Sequence, residues 1–212
     1  MPGYDTGGKP MRCLMCGKTM SRASFTELFR KEDVLCEACR GRWKRIDRKF
    51  RFHGVPAWVL YEYAGGFSEC LLQFKECYDE ALKPAFLFPD RRRIRQVFHA
   101  RTLLLMPSSE KKTAERGFSH LRELFECLDL PMMEPFVKVK DDDQKNRSRE
   151  ERNQMRHGIA LKEHIVLPDR VVLADDVITT GSTMEGALSV LPSGLNIRIF
   201  ACGMSVRKHD KK

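Results

Sequence analysis

Apolar positions along the chain fall into segments of two kinds. "AWVLYEY" (Ala57 to Tyr63), "TLLLMP" (Thr102 to Pro107), "RVVLADD" (Arg170 to Asp176) and "IRIFACGMS" (Ile197 to Ser205) are short, dense apolar runs. Runs of that length, bounded by turn residues, read as buried strands. Between them the period changes. Phe67, Leu71, Phe74, Tyr78, Leu82 and Phe86 recur every three or four residues and predict one amphipathic helix across "FSECLLQFKECYDEALKPAFLF". Phe118, Leu121, Leu124, Phe125 and Leu128 predict a second helix, and "GSTMEGALSVL" a third. Strands alternating with helices imply parallel crossovers, hence an α/β fold with a parallel sheet flanked by helices. No internal repeat interrupts that order.

Composition sharpens this picture in a few places. With 42% hydrophobic and 32% charged residues in 212 positions, the chain can build one substantial core and a small accessory module. Its apolar runs fall far short of the roughly 20 residues of a membrane span. The start "MPGYDTGGKP" is polar and glycine-rich, unlike a secretory signal, so residues 1–10 are expected to be a leader or disordered and the protein to be cytoplasmic. The net charge of +9 is unevenly spread: Arg40 to Arg51 holds seven basic residues against one acid, and Arg91 to Arg101 five against none. Each cluster is either a solvated face or a nucleic-acid contact. Trp43, Phe50 and Phe98 lie within them and Phe52 directly follows the first, and aromatic faces on which bases can stack favour nucleic acid.

Cysteines carry a clearer message. Cys13, Cys16, Cys36 and Cys39 form C-x2-C-x19-C-x2-C, a spacing that lets two knuckles close a tetrahedral thiolate site for Zn2+. Two disulfides are the rival reading, which an export signal would be needed to favour. Gly17 suits the tight turn of the first knuckle. Four thiolates leave no open coordination position, so the metal is expected to be structural. Cys70, Cys77, Cys127 and Cys202 read as small buried hydrophobes.

The stretch "VVLADDVITTGST" (Val171 to Thr183) holds the chemistry. It is expected to be a buried strand ending in Asp175 and Asp176 at the carboxyl edge of the sheet, where open α/β folds bind ligands. Thr179, Thr180, Ser182 and Thr183 offer hydroxyls, Gly181 permits close backbone approach, and amides at the following helix start form an anion site. Two carboxylates beside a phosphate cup suit a sugar phosphate, through its vicinal hydroxyls or through Mg2+. No lysine follows the glycine as in a P-loop, and the dinucleotide G-x-G-x-x-G is missing. "KVKDDDQKNRSREERNQMRHG" (Lys138 to Gly158) is a charged loop, either simply solvated or able to close over a ligand.

These residues resemble a known family. "VVLADDVITTGST" is similar to the ribose-phosphate motif of type I phosphoribosyltransferases. With the N-terminal knuckles, "QFKECYDEALKPAF", "ERGFSHLRELFECL" and "QKNRSREERN" in the same order, the chain resembles the ComF family from Met11 onward. The resemblance implies a type I phosphoribosyltransferase-like domain (residues 53–212) behind a zinc-binding module (residues 11–52). It implies binding of 5-phosphoribosyl 1-diphosphate with Mg2+. Asp175 and Asp176 would contact the ribose hydroxyls, and Thr179 to Thr183 the 5-phosphate. Lys75, Arg116 and Arg152 match the lysine of the family's "FK" element and the arginines of its "RGF" element and basic loop, cations suited to a diphosphate. "LMPSSEKK" stands where "PVPL" is common, and "RGFSH" where "RGFNQ" is usual, which places His120 at a helix start, where exposure is expected. The family further implies a role in natural transformation and DNA uptake, with single-stranded DNA, a helicase-like ATPase and other competence proteins as partners and a place at the inner face of the membrane through them. The alternative is a phosphoribosyltransferase enzyme acting on a nucleobase or another small acceptor in salvage.

Overall fold

The computed structural model describes residues 11–20, 33–108, 117, 119–139 and 158–206. In chain order these form helix α1 (Glu37–Gly41), strands β1 (Arg45–Phe52) and β2 (Val55–Glu62), and helices α2 (Gly65–Glu76), α3 (Pro84–Leu87) and α4 (Arg91–Phe98). Strand β3 (Thr102–Leu105), helix α5 (His120–Glu126) and strands β4 (Met132–Met133), β5 (Phe136–Lys138) and β6 (Ile159–Leu161) follow. Strand β7 (Arg170–Ile178), helix α6 (Ser182–Val190) and strand β8 (Asn196–Met204) complete the order.

Six strands build one sheet in the order β1-β2-β8-β7-β3-β4, and β5 and β6 form a separate antiparallel pair. β1 runs antiparallel to β2, whereas the pairings of β2 with β8, β8 with β7, β7 with β3 and β3 with β4 are parallel. The fold is therefore α/β, with helices packed on a mostly parallel sheet. All four expected strands are present. β1 is not among the expected strands: in "RIDRKFRF" Arg48 interrupts the alternation of Ile46, Phe50 and Phe52. Val171, Val172, Leu173 and Ala174 of β7 are all buried, as befits a central strand covered on both sides. The expected division after residue 52 falls inside the β1–β2 hairpin, since strand pairing into the sheet begins at Arg45.

The long helix expected from Phe67 to Phe86 is broken. α2 stops at Glu76, and Tyr78 takes a left-handed conformation (φ 58) with its side chain exposed. A 3-10 turn, Glu80–Leu82, follows, and Pro84 opens α3 at its first turn. Proline has no N–H to give to a preceding turn and its ring clashes there, so a helix can restart at Pro84 but not run through it. The apolar spacing nonetheless serves the core. Phe67, Leu71, Phe74, Leu82 and Phe86 are all buried; Tyr78 alone of the expected face is not.

Two basic clusters are partly absorbed into this architecture. Trp43 is 6% exposed and packs edge-on against Tyr61 and Phe67, and Phe98 is buried against Trp58 and Phe200. Neither ring has a face on which a base could stack, which corrects the expectation that all four aromatics of the clusters are available. Arg101 is buried, its guanidinium donating to the Asn196 carbonyl (2.8 Å) and side chain (2.9 Å). Arg42, Arg45 and Arg93 are tied to Glu69, Asp90 and Asp47. Among the described residues, Arg48, Lys49 and Arg51 on β1 meet no carboxylate; Arg48 and Lys49 lie over the rings of Phe50 and Trp58.

Candidate functional site

Two places gather the chemistry predicted from the sequence. The first is the four-cysteine cluster. In the first knuckle the Gly17 amide donates to the Cys13 carbonyl (2.8 Å), with Gly17 in the left-handed region (φ 70) that glycine adopts at little cost. The Cys13 amide donates to the Lys18 carbonyl, and Arg12 bridges Thr19 across the turn. The Leu14 amide donates to the Val34 carbonyl (3.1 Å), bringing the second knuckle alongside. The four Sγ atoms lie within 4.8 Å of one another, and those of Cys16 and Cys36 are 3.7 Å apart. A tetrahedron with metal–sulfur bonds of about 2.3 Å has edges of about 3.8 Å, so this cluster can hold a structural metal ion.

Electrostatics at the sulfurs suit a cation. Burial pushes the Cys13 thiol up, but backbone N–H groups of Cys36, Cys16 and Met15 outweigh it and bring the group down to about 7. Cys39 is raised, first by burial and then by its neighbouring cysteines. Arg40 fastens the knuckles to the α/β body. Its guanidinium grips the buried Asp33 carboxylate (2.7 and 2.6 Å), donates to the Ala85 carbonyl of α3 (2.8 Å) and lies 4.2 Å from the Trp43 ring. Arg40, counted in the basic cluster, is thus a structural clamp.

The second place is a cavity of about 300 Å³ at the carboxyl end of β3 and β7. β7 does not end at its acids as expected. It continues through Val177 and Ile178, paired to Gly203 and Met204 of β8, whereas its pairing with β3 stops at Ala174. The acids therefore sit where β3 leaves the sheet and one side of β7 opens. Asp175 and Asp176 line the cavity with Thr183 of α6, Lys75 of α2, His120 of α5 and Lys138 of β5. Gly181 caps α6 with φ 86, and the Phe52 ring from the β1–β2 hairpin lies against it. Beside it the hydroxyls of Thr180 and Ser182 are 3.0 Å apart, and the Ser182 amide points to Thr180 Oγ1 (3.4 Å). His53 Nε2 lies 2.7 Å from Glu185 Oε1 in the first turn of the same helix, so the hairpin tip is seated on the loop that precedes α6.

Asp176 is buried, and one of its oxygens is doubly engaged. Lys75 Nζ lies 2.7 Å and His120 Nε2 2.8 Å from Asp176 Oδ2. Burial pushes the Asp176 carboxyl up, but the bond from His120 and the charge of Lys75 outweigh it, and the group falls to about 2. Asp175 goes the other way. Burial and the adjacent Asp176 charge hold its carboxyl well above the ordinary carboxylate range, although its Oδ1 accepts the Asp176 amide at 2.9 Å. Two carboxyls with opposed proton affinities, beside the amino end of a nine-residue helix, present acceptors and anion-binding amides to one small volume.

Of the residues read from the sequence, Asp175, Asp176, Thr183 and Lys75 come together in this cavity, Thr179, Thr180 and Gly181 form the loop that leads into α6, and Ser182 opens the helix. Arg116 and Arg152 lie outside the described residues, as does most of the charged loop from Lys138 to Gly158. His120 corrects an expectation: it is 5% exposed and bonded to Asp176, not an exposed helix-start residue. The signal was its departure from the "RGFNQ" pattern, a polar side chain standing one position before the apolar face of α5. Lys138 and Ser108 also line the cavity; the sequence marks them only as the first residue of the charged loop and as part of "LMPSSEKK", without a role for either side chain.

No family model matches the chain. Among curated proteins it is similar to the competence protein ComFC of Streptococcus pneumoniae, 25% identical over 209 residues covering 85% of this chain and 93% of that protein. It is similar also to the competence protein ComFC of Bacillus subtilis, 26% identical over 212 residues covering 84% and 88%. These similarities run along most of each protein and agree with the resemblance to the ComF family read from the sequence, as do the four clustered cysteines in front of an α/β sheet.

Proposed function

We propose that this protein is a competence protein whose cavity binds 5-phosphoribosyl 1-diphosphate with Mg2+ and whose basic surface engages single-stranded DNA during uptake. Its similarity to two proteins named as competence proteins supports the process. One observation supports the ligand: Asp175 and Asp176 share a cavity with Thr183 at the amino end of α6. A ribose phosphate needs acceptors for its hydroxyls beside an anion cup, and carboxylates sharing a cavity with a helix amino end are groups of both kinds. Thr179 to Thr183 hold the 5-phosphate, and Asp175 and Asp176 the ring hydroxyls. Hard carboxylate oxygens also fit magnesium, which when bound neutralises the diphosphate. Lys138 contributes positive charge at the rim.

Zinc at Cys13, Cys16, Cys36 and Cys39 completes a knuckle module in front of the ligand-binding α/β body. A helicase-type ATPase and other competence proteins are the partners this reading implies, with the chain working on the inner side of the membrane; no helix among the described residues is long and apolar enough to cross one. Calorimetry with 5-phosphoribosyl 1-diphosphate and Mg2+ tests the ligand. Asp175→Asn with Asp176→Asn should weaken binding while circular dichroism stays native. Equal affinity in the double variant and the wild type removes the assignment.

A further inference from the structure

Lys75 and His120 hold the same oxygen of Asp176 but differ in what they can do next. Lys75 stands at the last turn of α2 on a flexible four-carbon stem, and a quarter of its side chain is exposed toward the cavity. His120 is the first residue of α5, and its side chain is 6% exposed. The lysine has room to leave; the imidazole does not. A buried carboxylate stripped of its ammonium partner is costly, so the ammonium can depart only if another cation arrives.

We propose that Lys75 is the place-holder for a divalent cation on Asp176, and that His120 is the positioning residue that keeps the carboxylate aimed while the two cations exchange. This rests on the sugar-phosphate reading of the cavity. With a magnesium-bound diphosphate in the cavity, Asp176 would release Lys75 and serve as a ligand to the metal, and the freed Lys75 ammonium would pair with a phosphate oxygen. No covalent bond changes, and each negative group keeps a positive partner throughout. Lys75 thereby serves both the empty and the filled cavity, which reconciles its expected place on the diphosphate with its observed place on Asp176. His120 Nε2–H donates throughout, holding the carboxylate as ligand-orienting partners do at metal sites.

Binding of Mn2+ alone, followed by electron paramagnetic resonance on zinc-loaded full-length protein, tests this without any sugar phosphate. Failure to bind 5-phosphoribosyl 1-diphosphate would therefore not be confused with failure of the exchange. Wild type should hold Mn2+ weakly, and Lys75→Met should hold it about tenfold more tightly or better, because a competing charge has been removed. Adding Asp176→Asn to Lys75→Met should abolish the gain. Within the Lys75→Met background, His120→Ala should lose about 10- to 100-fold in Mn2+ affinity, whereas His120→Gln, whose amide also donates, should retain it. Lys75→Gln serves as the second variant, because its amide leaves the carboxylate bonded and the fold secure. The proposal is overturned if neither Lys75 variant binds Mn2+ more tightly than wild type, or if the gain survives Asp176→Asn. The role of His120 is overturned if His120→Ala leaves the affinity unchanged, or if His120→Gln fails to restore it.

Discussion

Replacing Gly181 with alanine should break the loop beside the cavity, and the cost divides into two separable parts. Gly181 has φ 86, a left-handed conformation that costs an L side chain about 1–2 kcal/mol. A Cβ there would also stand 2.7 Å from both Cε2 and Cζ of Phe52, closer than carbon atoms tolerate. Pushing that ring aside is overpacking, typically about 1–3 kcal/mol. Gly181→Ala should therefore lose about 2–5 kcal/mol, enough to lower the urea midpoint markedly. Only the second part depends on Phe52. In the double variant with Phe52→Ala the ring is gone, so about 1–3 kcal/mol of the penalty should be recovered, while the backbone part remains. A double-mutant cycle by urea denaturation at one pH measures the coupling directly. If the cycle closes within about 0.5 kcal/mol, Phe52 does not press on Gly181 and the seating of the β1–β2 hairpin on the loop is wrong.

Freshly purified protein should carry one zinc per chain by element analysis, and Cys36→Ser should both lose the metal and lower the melting temperature; less than about half an equivalent in the wild type would refute the four-thiolate site. Asp175→Asn should stabilise the protein at neutral pH. The folded carboxyl binds its proton more tightly than the unfolded one, whose ordinary value is 3.8, so wild-type stability falls as pH rises above that value. The advantage of the variant in urea titrations should grow upward from about pH 4 and vanish below it, and a constant difference would contradict the buried pair. For single-stranded DNA, neutralising Arg48, Lys49 and Arg51 should flatten the log-log salt dependence by roughly 0.7 per lost phosphate contact. Neutralising Arg42 and Arg45, which already face Glu69 and Asp90, should do less. Filter binding across a salt series gives both slopes, and an unchanged slope for the first set would make β1 a solvated edge.

Local chemistry made part of this protein legible in its sequence. The cysteine spacing gives the knuckles because a turn that closes on Gly17 brings sulfurs together within a few residues. "VVLADD" reads as a central strand because a short apolar run rich in β-branched residues suits a strand covered on both faces, as in a parallel sheet. "TTGST" gives a loop and helix start because Gly181 alone can take its φ. Other features depended on partners distant in sequence. Spacing could not show that the helix from Phe67 breaks, since Leu82 and Phe86 reach the core whether the chain runs straight or turns at Tyr78 and Pro84. Charge counting could not separate Arg40 and Arg101, which lock the fold, from Arg48 and Arg51, which face outward, because that depends on Asp33 and Asn196 being brought alongside. The contact of Lys75 and His120 with Asp176 spans 101 and 56 residues. Only the packing of α2 and α5 against the open side of β7 puts an ammonium, an imidazole and a carboxylate in one place, where the two partners outweigh burial and hold the Asp176 carboxyl below its ordinary range.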